Sequence, residues 1–187
     1  MCSSQIPILE RDETVALVWP RNGSPPVKNA VDSYLPHFKT NRLWFDHVQA
    51  ASGWHVTEQQ WDQVLKELVP NSMVFAAQGQ EPVAVACALD RDDAWSELAW
   101  VAVASEHRGK RLGRFVCSEL IRHLLETGKP RIFCSTQDER LAAIRIYLEI
   151  GFHPVFRENK GDRWRAICSN LGWPFSPRTW GWQYEHE

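Results

Sequence analysis

The pattern of apolar residues takes two forms along the chain, and each form predicts one type of element. Short apolar runs rich in β-branched residues predict six strands, at residues 14–19, 72–77, 82–89, 95–103, 131–135 and 153–156. Pro20 ends the first run, and residues 78–81 predict a hairpin turn between the second and third. The strands therefore come as one early strand, a run of three, and two later strands.

Apolar residues that recur three and four positions apart predict six helices, at about residues 31–38, 43–53, 57–69, 116–128, 141–151 and 162–171. Thr57 and Gln60 match a capping box at the start of the third helix. Gly128 and Gly151 follow two of the helices in the position that favours a left-handed backbone conformation. Pro36 interrupts the pattern of the first helix.

This order of elements predicts the fold class. Antiparallel hairpins followed by a strand–helix–strand unit are typical of a mixed sheet with helices on both faces, an α/β architecture. The chain has no internal repeat and no long linker, so we expect one domain over residues 1–187. The part of the chain that carries recognisable motifs spans about residues 72–155, and a C-terminal helix with a Trp-rich tail occupies residues 162–187.

Charge and cysteine usage narrow the class of protein. A net charge of -2 gives no sign of a nucleic-acid binder. Five scattered cysteines without C-x-x-C spacing predict neither a disulfide framework nor a zinc site, and they suit a reducing compartment. The N-terminus lacks a signal-peptide pattern, and no apolar run approaches the length of a membrane span. We therefore expect a soluble, cytoplasmic protein with no membrane or nucleic-acid partner, and a homodimer is left open.

A strand, a short loop and a helix meet at residues 101–114, whose sequence is VAVASEHRGKRLGR. A helix N-terminus presents unpaired N–H groups and the positive end of the helix dipole, and both attract phosphate oxygens. Gly109 and Gly113 let the backbone approach a ligand closely, and Arg108 and Lys110 add positive charge. The stretch indicates a phosphate site, and the alternative is a basic, solvated turn before an ordinary helix.

This loop resembles motif A of the GNAT acetyltransferases, whose pattern is Q/R-x-x-G-x-G/A at a strand-to-helix junction. Arg108 takes the first position and Gly113 the last. Arg111 stands where the family usually has glycine, which would cost about 1 kcal/mol if the position needs a positive φ. Residues 140–152 resemble motif B, N-x-x-A-x-x-x-Y-x-x-x-G-F, with Arg140 in place of the asparagine.

The resemblance implies a mostly antiparallel sheet in which the strands at 95–103 and 131–135 run parallel and splay apart. Acetyl-CoA, the implied co-substrate, would lie in that opening, with its pyrophosphate on the loop and its pantetheine arm along the first strand. The asparagine of motif B contacts the pantetheine arm in the family, and Arg140 in its place would contact either that arm or the CoA phosphates. The residues that the resemblance assigns to acetyl-CoA are Val101, Ala102, Val103, Arg108, Gly109, Lys110, Arg111, Leu112, Gly113, Arg114, Arg140, Ala143 and Tyr147.

The resemblance also implies direct transfer of an acetyl group to a primary amine. Tyr147 would protonate the CoA sulfur, Glu97 would act as general base, and the Val101 N–H would polarise the thioester oxygen. Strand alternation places Glu97, Ala99, Val101 and Val103 on one side of their strand. The plainer interpretations are a core tyrosine and a solvated carboxylate. No nucleophile and no metal site is indicated.

The acceptor, a small molecule or a peptide, is not identified by the sequence. Aromatic residues of the N-terminal third would either form walls for a cationic amine or fill the core. These residues are Tyr34, Phe38, Trp44, Phe45, Trp54 and His55, with Asp32 and Asp46 nearby. The alternative function is an acyl-CoA-binding sensor that keeps the CoA site without catalysis, while a nucleic-acid-binding domain conflicts with the acidic balance.

Overall fold

The computed structural model describes residues 14–20, 22–27, 31, 33–91, 95–155 and 161–180 of the chain. Its strands are β1 (Thr14–Val18), β2 (Leu35–Phe38), β3 (Leu68–Gln78), β4 (Glu81–Asp90), β5 (Ser96–Val103), β6 (Ile132–Gln137) and β7 (His153–Pro154). Its helices are α1 (Arg42–Ser52), α2 (Glu58–Glu67), α3 (Leu112–Glu126), α4 (Leu141–Ile150) and α5 (Gly161–Leu171), with a 3₁₀ turn at Ser105–His107. Apart from residues 31–38, each predicted segment forms the predicted type of element. Phe156, placed in the last predicted strand, lies outside the described residues.

Seven strands form one mixed sheet in the order β2-β3-β4-β5-β6-β1-β7. The neighbouring pairs are antiparallel except β5 and β6, which run parallel and are connected through α3. A parallel pair requires a crossover, and a helix is the usual one. The predicted mixed sheet with one parallel pair is confirmed.

The described residues of the segment 31–38 do not form the predicted helix. They contain instead the edge strand β2, in which Leu35 is opposite Ala77 and Phe38 is opposite Val74 of β3. Pro36 explains the difference. In a helix interior, proline removes a hydrogen bond and clashes with the preceding turn, whereas at a sheet edge its missing N–H can face away from the ladder.

Helices cover both faces of the sheet, as predicted. α1 and α2 pack on the face that we name the front, where Phe45 and Trp61 join a core with Phe75 and Val85. α3, α4 and α5 pack on the opposite face, the back. The predicted helical rows are buried in the back core, which includes Val116, Leu120, Leu124, Ile144, Leu148, Trp164, Ile167 and Leu171.

Helix ends follow the local signals in the sequence. At the start of α2, the Thr57 hydroxyl accepts from the Gln60 N–H, and the Gln60 side chain accepts from the Thr57 N–H, which forms the predicted capping box. At the end of α4, Gly151 adopts a φ of 111° and the Phe152 N–H donates to the Tyr147 carbonyl. Phe152 is thereby buried against α4, as the motif requires.

The described part of the Trp-rich tail folds back onto the back core. Trp173 and Phe175 pack against that core, and Arg145 of α4 donates to the Leu171 carbonyl at the end of α5. Among the described helices, none is long and apolar enough to cross a membrane.

Candidate functional site

β5 and β6 separate soon after they meet. Their parallel ladder consists of two residue pairs, Ser96 with Ile132 and Glu97 with Phe133. Beyond these pairs both strands continue, β5 to Val103 and β6 to Gln137. We name the last pair the fork and the opening beyond it the cleft. The predicted parallel strands that splay apart are confirmed.

A β-bulge in β5 lies just beyond the fork. Ala99 is opposite Cys87 and Ala102 is opposite Val85, so two residues of β5, Trp100 and Val101, share one position of β4. Trp100 has a φ of 53°, in the left-handed region. Such a conformation costs a non-glycine residue roughly 1–2 kcal/mol, so neighbouring contacts must hold it.

Helix α1 supplies those contacts. The Trp100 ring lies 5.6 Å from the Phe45 ring, centroid to centroid. The side-chain amide of the buried Gln49 donates to the Trp100 carbonyl at 3.2 Å. Sequence reasoning missed Trp100 and Gln49, because neither residue type signals a left-handed conformation or its support.

The bulge reverses the faces of β5 beyond the fork. Leu98 is buried in the back core, so Glu97 and Ala99 lie at the front. After the extra residue, Val101 and Val103 pack against the back core. The prediction that Glu97, Ala99, Val101 and Val103 share one side of the strand is therefore wrong, because simple alternation does not survive a bulge.

The loop from β5 to α3 ends in an uncapped helix N-terminus. Arg111, the N-cap residue, makes no side-chain capping hydrogen bond and has a φ of 61°. By helix geometry, the first-turn amides of Leu112, Gly113 and Arg114 have no intrahelical acceptor. Uncapped amides, the helix dipole and the exposed cations Lys110 and Arg111 make this end of the cleft attractive to an anion.

Of the four cationic side chains in residues 108–114, which span the loop and the first turn of α3, two contact other helices. Arg108 donates to the Ser52 carbonyl at the end of α1 at 2.9 Å, and Ser105 donates to the Ala51 carbonyl. Arg114 lies 3.8 Å from Glu149 of α4. These contacts fix the loop between α1 and α4, and they leave the Lys110 and Arg111 side chains exposed.

Gly113 lets three elements approach one another. A Cβ atom at this position would lie 2.9 Å from the Ile146 Cδ1 of α4 and 3.6 Å from the Val103 Cγ2 of β5. The first contact is shorter than side chains normally tolerate, so a larger residue would displace Ile146. The structure thus gives Gly113 a packing reason beside its place in the predicted phosphate loop.

Tyr147 of α4 lies in the back wall of the site. Its side chain is buried and its ring centroid is 6.0 Å from that of Phe152. Burial raises the pKa of Tyr147 well above 10, the neighbouring Cys134 and Cys117 thiols add to the rise, and Arg140 opposes it. The phenol therefore stays protonated at neutral pH and can donate a proton.

Arg140 contacts an aromatic residue at the front. Its guanidinium carbon lies 4.8 Å from the ring centroid of Trp54, which is 51% exposed. Trp54 follows α1, and Arg140 is the N-cap residue of α4. This cation–π pair joins the two walls of the cleft at the open end. Ala143, half-buried, lies on α4 between Arg140 and Tyr147.

Glu97 is held at the fork by hydrogen bonds. Arg91 donates to its Oε2 at 2.6 Å and also pairs with Glu67 at the end of α2. The Ser135 hydroxyl of β6 donates to its Oε1 at 3.0 Å. The Glu97 side chain is 13% exposed, so it is not the freely solvated carboxylate of the plainer interpretation.

The aromatic residues considered for the acceptor divide into core and surface. Phe45 is buried, Trp44 packs on Phe75, and the Tyr34 hydroxyl is 2.9 Å from Nδ1 of His107. Phe38 lies on β2, three positions from β5 in the sheet order. Asp46 pairs with Arg42, and Asp32 lies outside the described residues. Of the aromatic set, Phe38, Trp54 and His55 are exposed, and Trp54 is the one that contacts Arg140 among the described residues.

Comparisons with known proteins agree with this geometry. The family model described as "Acetyltransferase (GNAT) family" matches residues 39–152. A curated relative, the uncharacterized N-acetyltransferase YobR of Bacillus subtilis (strain 168), is 26% identical over 128 residues. That match covers 68% of this chain and 52% of the relative, so the chain spans about half the length of that protein.

Solved structures share the fold at low sequence identity. A GCN5-related N-acetyltransferase from Sphaerobacter thermophilus has a TM-score of 0.63 and 14% identity, over 75% of this chain and 48% of that one. The ribosomal-protein-S18-alanine N-acetyltransferase from Escherichia coli has a TM-score of 0.55 and 16% identity, over 63% of this chain and 76% of that one.

Arg111 provides a stability test of the loop. Replacing Arg111 by glycine should raise the free energy of unfolding by about 1 kcal/mol, because glycine adopts the positive φ without strain. Arg111→Ala keeps a Cβ and should give no such gain. Gly109→Ala should lower the free energy of unfolding by about 1 kcal/mol, because Gly109 has a φ of 77° and open space around it, so the cost is that of the backbone conformation. Urea unfolding measures all three, and an unchanged or lower stability of Arg111→Gly would contradict the strain.

Proposed function

Since the chain belongs to the acetyltransferase (GNAT) family, we propose that it is an acetyl-CoA-dependent N-acetyltransferase that moves an acetyl group directly to a primary amine. The acceptor in this proposal is a small molecule or a peptide. One observation carries the proposal: the parallel pair of strands opens after the fork into a cleft that ends at the uncapped N-terminus of α3. An opening beside free strand backbone suits an amide-bearing arm, and the helix N-terminus suits a pyrophosphate.

In this proposal the pyrophosphate of acetyl-CoA binds residues 108–111 and the first-turn amides of α3. The pantetheine arm follows β5 at Val101, Ala102 and Val103. Arg140, Ala143 and Tyr147 form the opposite wall. The residues present fit such a ligand, because the α3 N-terminus has no side-chain cap and the exposed Lys110 and Arg111 lie directly before it.

The chemistry follows from groups on the two faces of the cleft. An amine attacks the thioester carbon only in its neutral form, and the departing thiolate must gain a proton. Glu97 lies at the front and is proposed as the base, while the protonated Tyr147 lies at the back and is proposed as the acid. The Val101 N–H, beside the bulge, is proposed to polarise the thioester oxygen.

We also propose a cytoplasmic location. Cys87, Cys117, Cys134 and Cys168 are buried free thiols, the state that a reducing compartment maintains.

Release of free CoA tests the function. The protein should release the CoA thiol from acetyl-CoA when a suitable primary amine is added, and the acetylated amine should appear in equal amount by mass spectrometry. The panel should contain amino acids, polyamines, aromatic amines and peptides with a free N-terminus. Acetyl-CoA binding without CoA release by any of these amines would favour the sensor over the enzyme.

Lys110 tests the phosphate site. Its side chain is exposed, so Lys110→Glu should not disturb packing. Placing a carboxylate beside the pyrophosphate should weaken acetyl-CoA binding roughly tenfold or more, measured by calorimetry. Lys66→Glu, on the exposed face of α2, changes the net charge equally and should leave the affinity as it is. Equal affinities of both variants would place the phosphates elsewhere.

Tyr147 tests the acid. Tyr147→Phe should lower kcat by about 10²–10⁴-fold, because the thiolate then leaves without a positioned proton donor. The affinity for acetyl-CoA should persist, since the ring remains. Because burial raises the pKa of Tyr147 well above 10, the wild-type rate should not fall through loss of this proton between pH 7 and 10. A wild-type kcat in Tyr147→Phe would return Tyr147 to a purely structural role.

A further inference from the structure

Glu97 lies where the two strands are too close together for the thioester to fit between them. It belongs to the last hydrogen-bonded pair of the β5–β6 ladder, where neighbouring strands are about 5 Å apart. An acyl group and an attacking amine need the wider part of the cleft, beyond the fork. A base at Glu97 must therefore act across a gap.

Ser135 spans that gap. It lies on β6 two residues beyond Phe133, which is about 6–7 Å further along the strand into the opening. Cys134 is buried in the back core, so Ser135 faces the front, as Glu97 does. Its side chain is half-buried, and its hydroxyl donates to Glu97 Oε1 at 3.0 Å. The other oxygen, Oε2, is held by Arg91.

A hydroxyl that donates to a carboxylate keeps its own lone pairs for another donor. We propose that Ser135 relays the proton of the acceptor amine to Glu97, so that the amine contacts Ser135 and not the carboxylate. The proposal rests on the proposed function, because it assigns a step within the same acetyl transfer.

The step balances in protons and electrons. The ammonium gives one proton to Ser135 Oγ as the Ser135 hydroxyl proton passes to Glu97 Oε1, which becomes a carboxylic acid. The freed nitrogen lone pair forms the C–N bond to the acetyl carbon. The C–S bond breaks with its electron pair on sulfur, which takes the Tyr147 proton. The second proton lost from nitrogen in forming the amide restores the tyrosine, and Glu97 returns its proton to solvent.

Among the residues that the structure describes, few charged or titratable groups face Glu97. Arg91, at the end of β4, contacts it directly, and Glu67 of α2 shares that guanidinium. The thiols of Cys87 and Cys134 and the phenol of Tyr147 are near enough to interact with its charge. Burial raises the pKa of all three. These three groups stay uncharged through the range in which an acceptor amine titrates, so they add no competing transition there.

A double-mutant cycle tests the relay. With an acceptor found in the amine panel, Ser135→Ala and Glu97→Gln should each lower kcat/KM at pH 7 by roughly 10- to 100-fold. The double variant should have a kcat/KM no lower than that of either single variant, because both substitutions interrupt the same proton path. Both losses should shrink as pH rises and the amine becomes neutral in solution. They should also be small for an acceptor whose amine is already neutral at pH 7.

Three controls separate a relay from a structural role. Ser135→Thr keeps the hydroxyl and should keep most of the activity. Ser96 precedes Glu97, and its buried hydroxyl has no hydrogen-bond partner among the described residues. Ser96→Ala should therefore match the wild type. Acetyl-CoA affinity should be unchanged in all variants.

Each outcome has a distinct meaning. An active wild type in which Ser135→Ala has a wild-type rate and pH profile overturns the relay and leaves the proposed function intact. A double variant whose losses multiply overturns the relay as well, because the two residues then act independently. A wild-type protein inactive with every amine overturns the proposed function, and the relay falls with it.

Discussion

The ladder between β5 and β6 ends after two residue pairs, and the arrangement of the site depends on that early end. Parallel strands normally stay paired because each unpaired backbone group that is buried costs free energy. Here the bulge at Trp100 interrupts the regular alternation of side chains in β5. β6 continues past the fork paired with β1 on its other side. Strand backbone is thereby left along an opening that a ligand with its own amides can satisfy.

The bulge also distributes the chemical groups between the two faces of the sheet. Without the extra residue, Val101 would lie on the same face as Glu97, and the front would carry both the carboxylate and the cleft-lining valines. With it, the carboxylate faces the front helices while the valines and Tyr147 lie at the back. The bulge is stabilised from the front by Gln49 and Phe45, so α1 supports the site without contributing a reactive group.

The loop before α3 combines strain with positive charge. Arg111 holds a left-handed conformation that glycine would adopt at no cost, and it adds a cation beside an uncapped helix end. Arg108, by contrast, binds the last turn of α1, where carbonyl groups lack helical partners. The two arginines therefore have different roles: Arg108 fixes the loop, and Arg111 faces solvent at the mouth of the cleft. A loop that is attached at one end and charged at the other suits the pyrophosphate binding that we propose for it.

The sequence by itself determined what depends on neighbours along the chain. Apolar residues three and four positions apart located α1 to α5, and short apolar runs rich in β-branched residues located β3 to β6. Capping residues located the start of α2 and the end of α4, because such signals act within a few residues. The resemblance to motifs A and B also predicted that Gly113 and Tyr147 lie at one cleft. Only the tertiary structure decided the rest. Edge position made a strand of residues 35–38, contact with α1 permitted the left-handed Trp100, and pairing with Arg91 and Ser135 fixed the Glu97 carboxylate. Each of these partners is distant in sequence or lies on another element, so no local pattern encodes it.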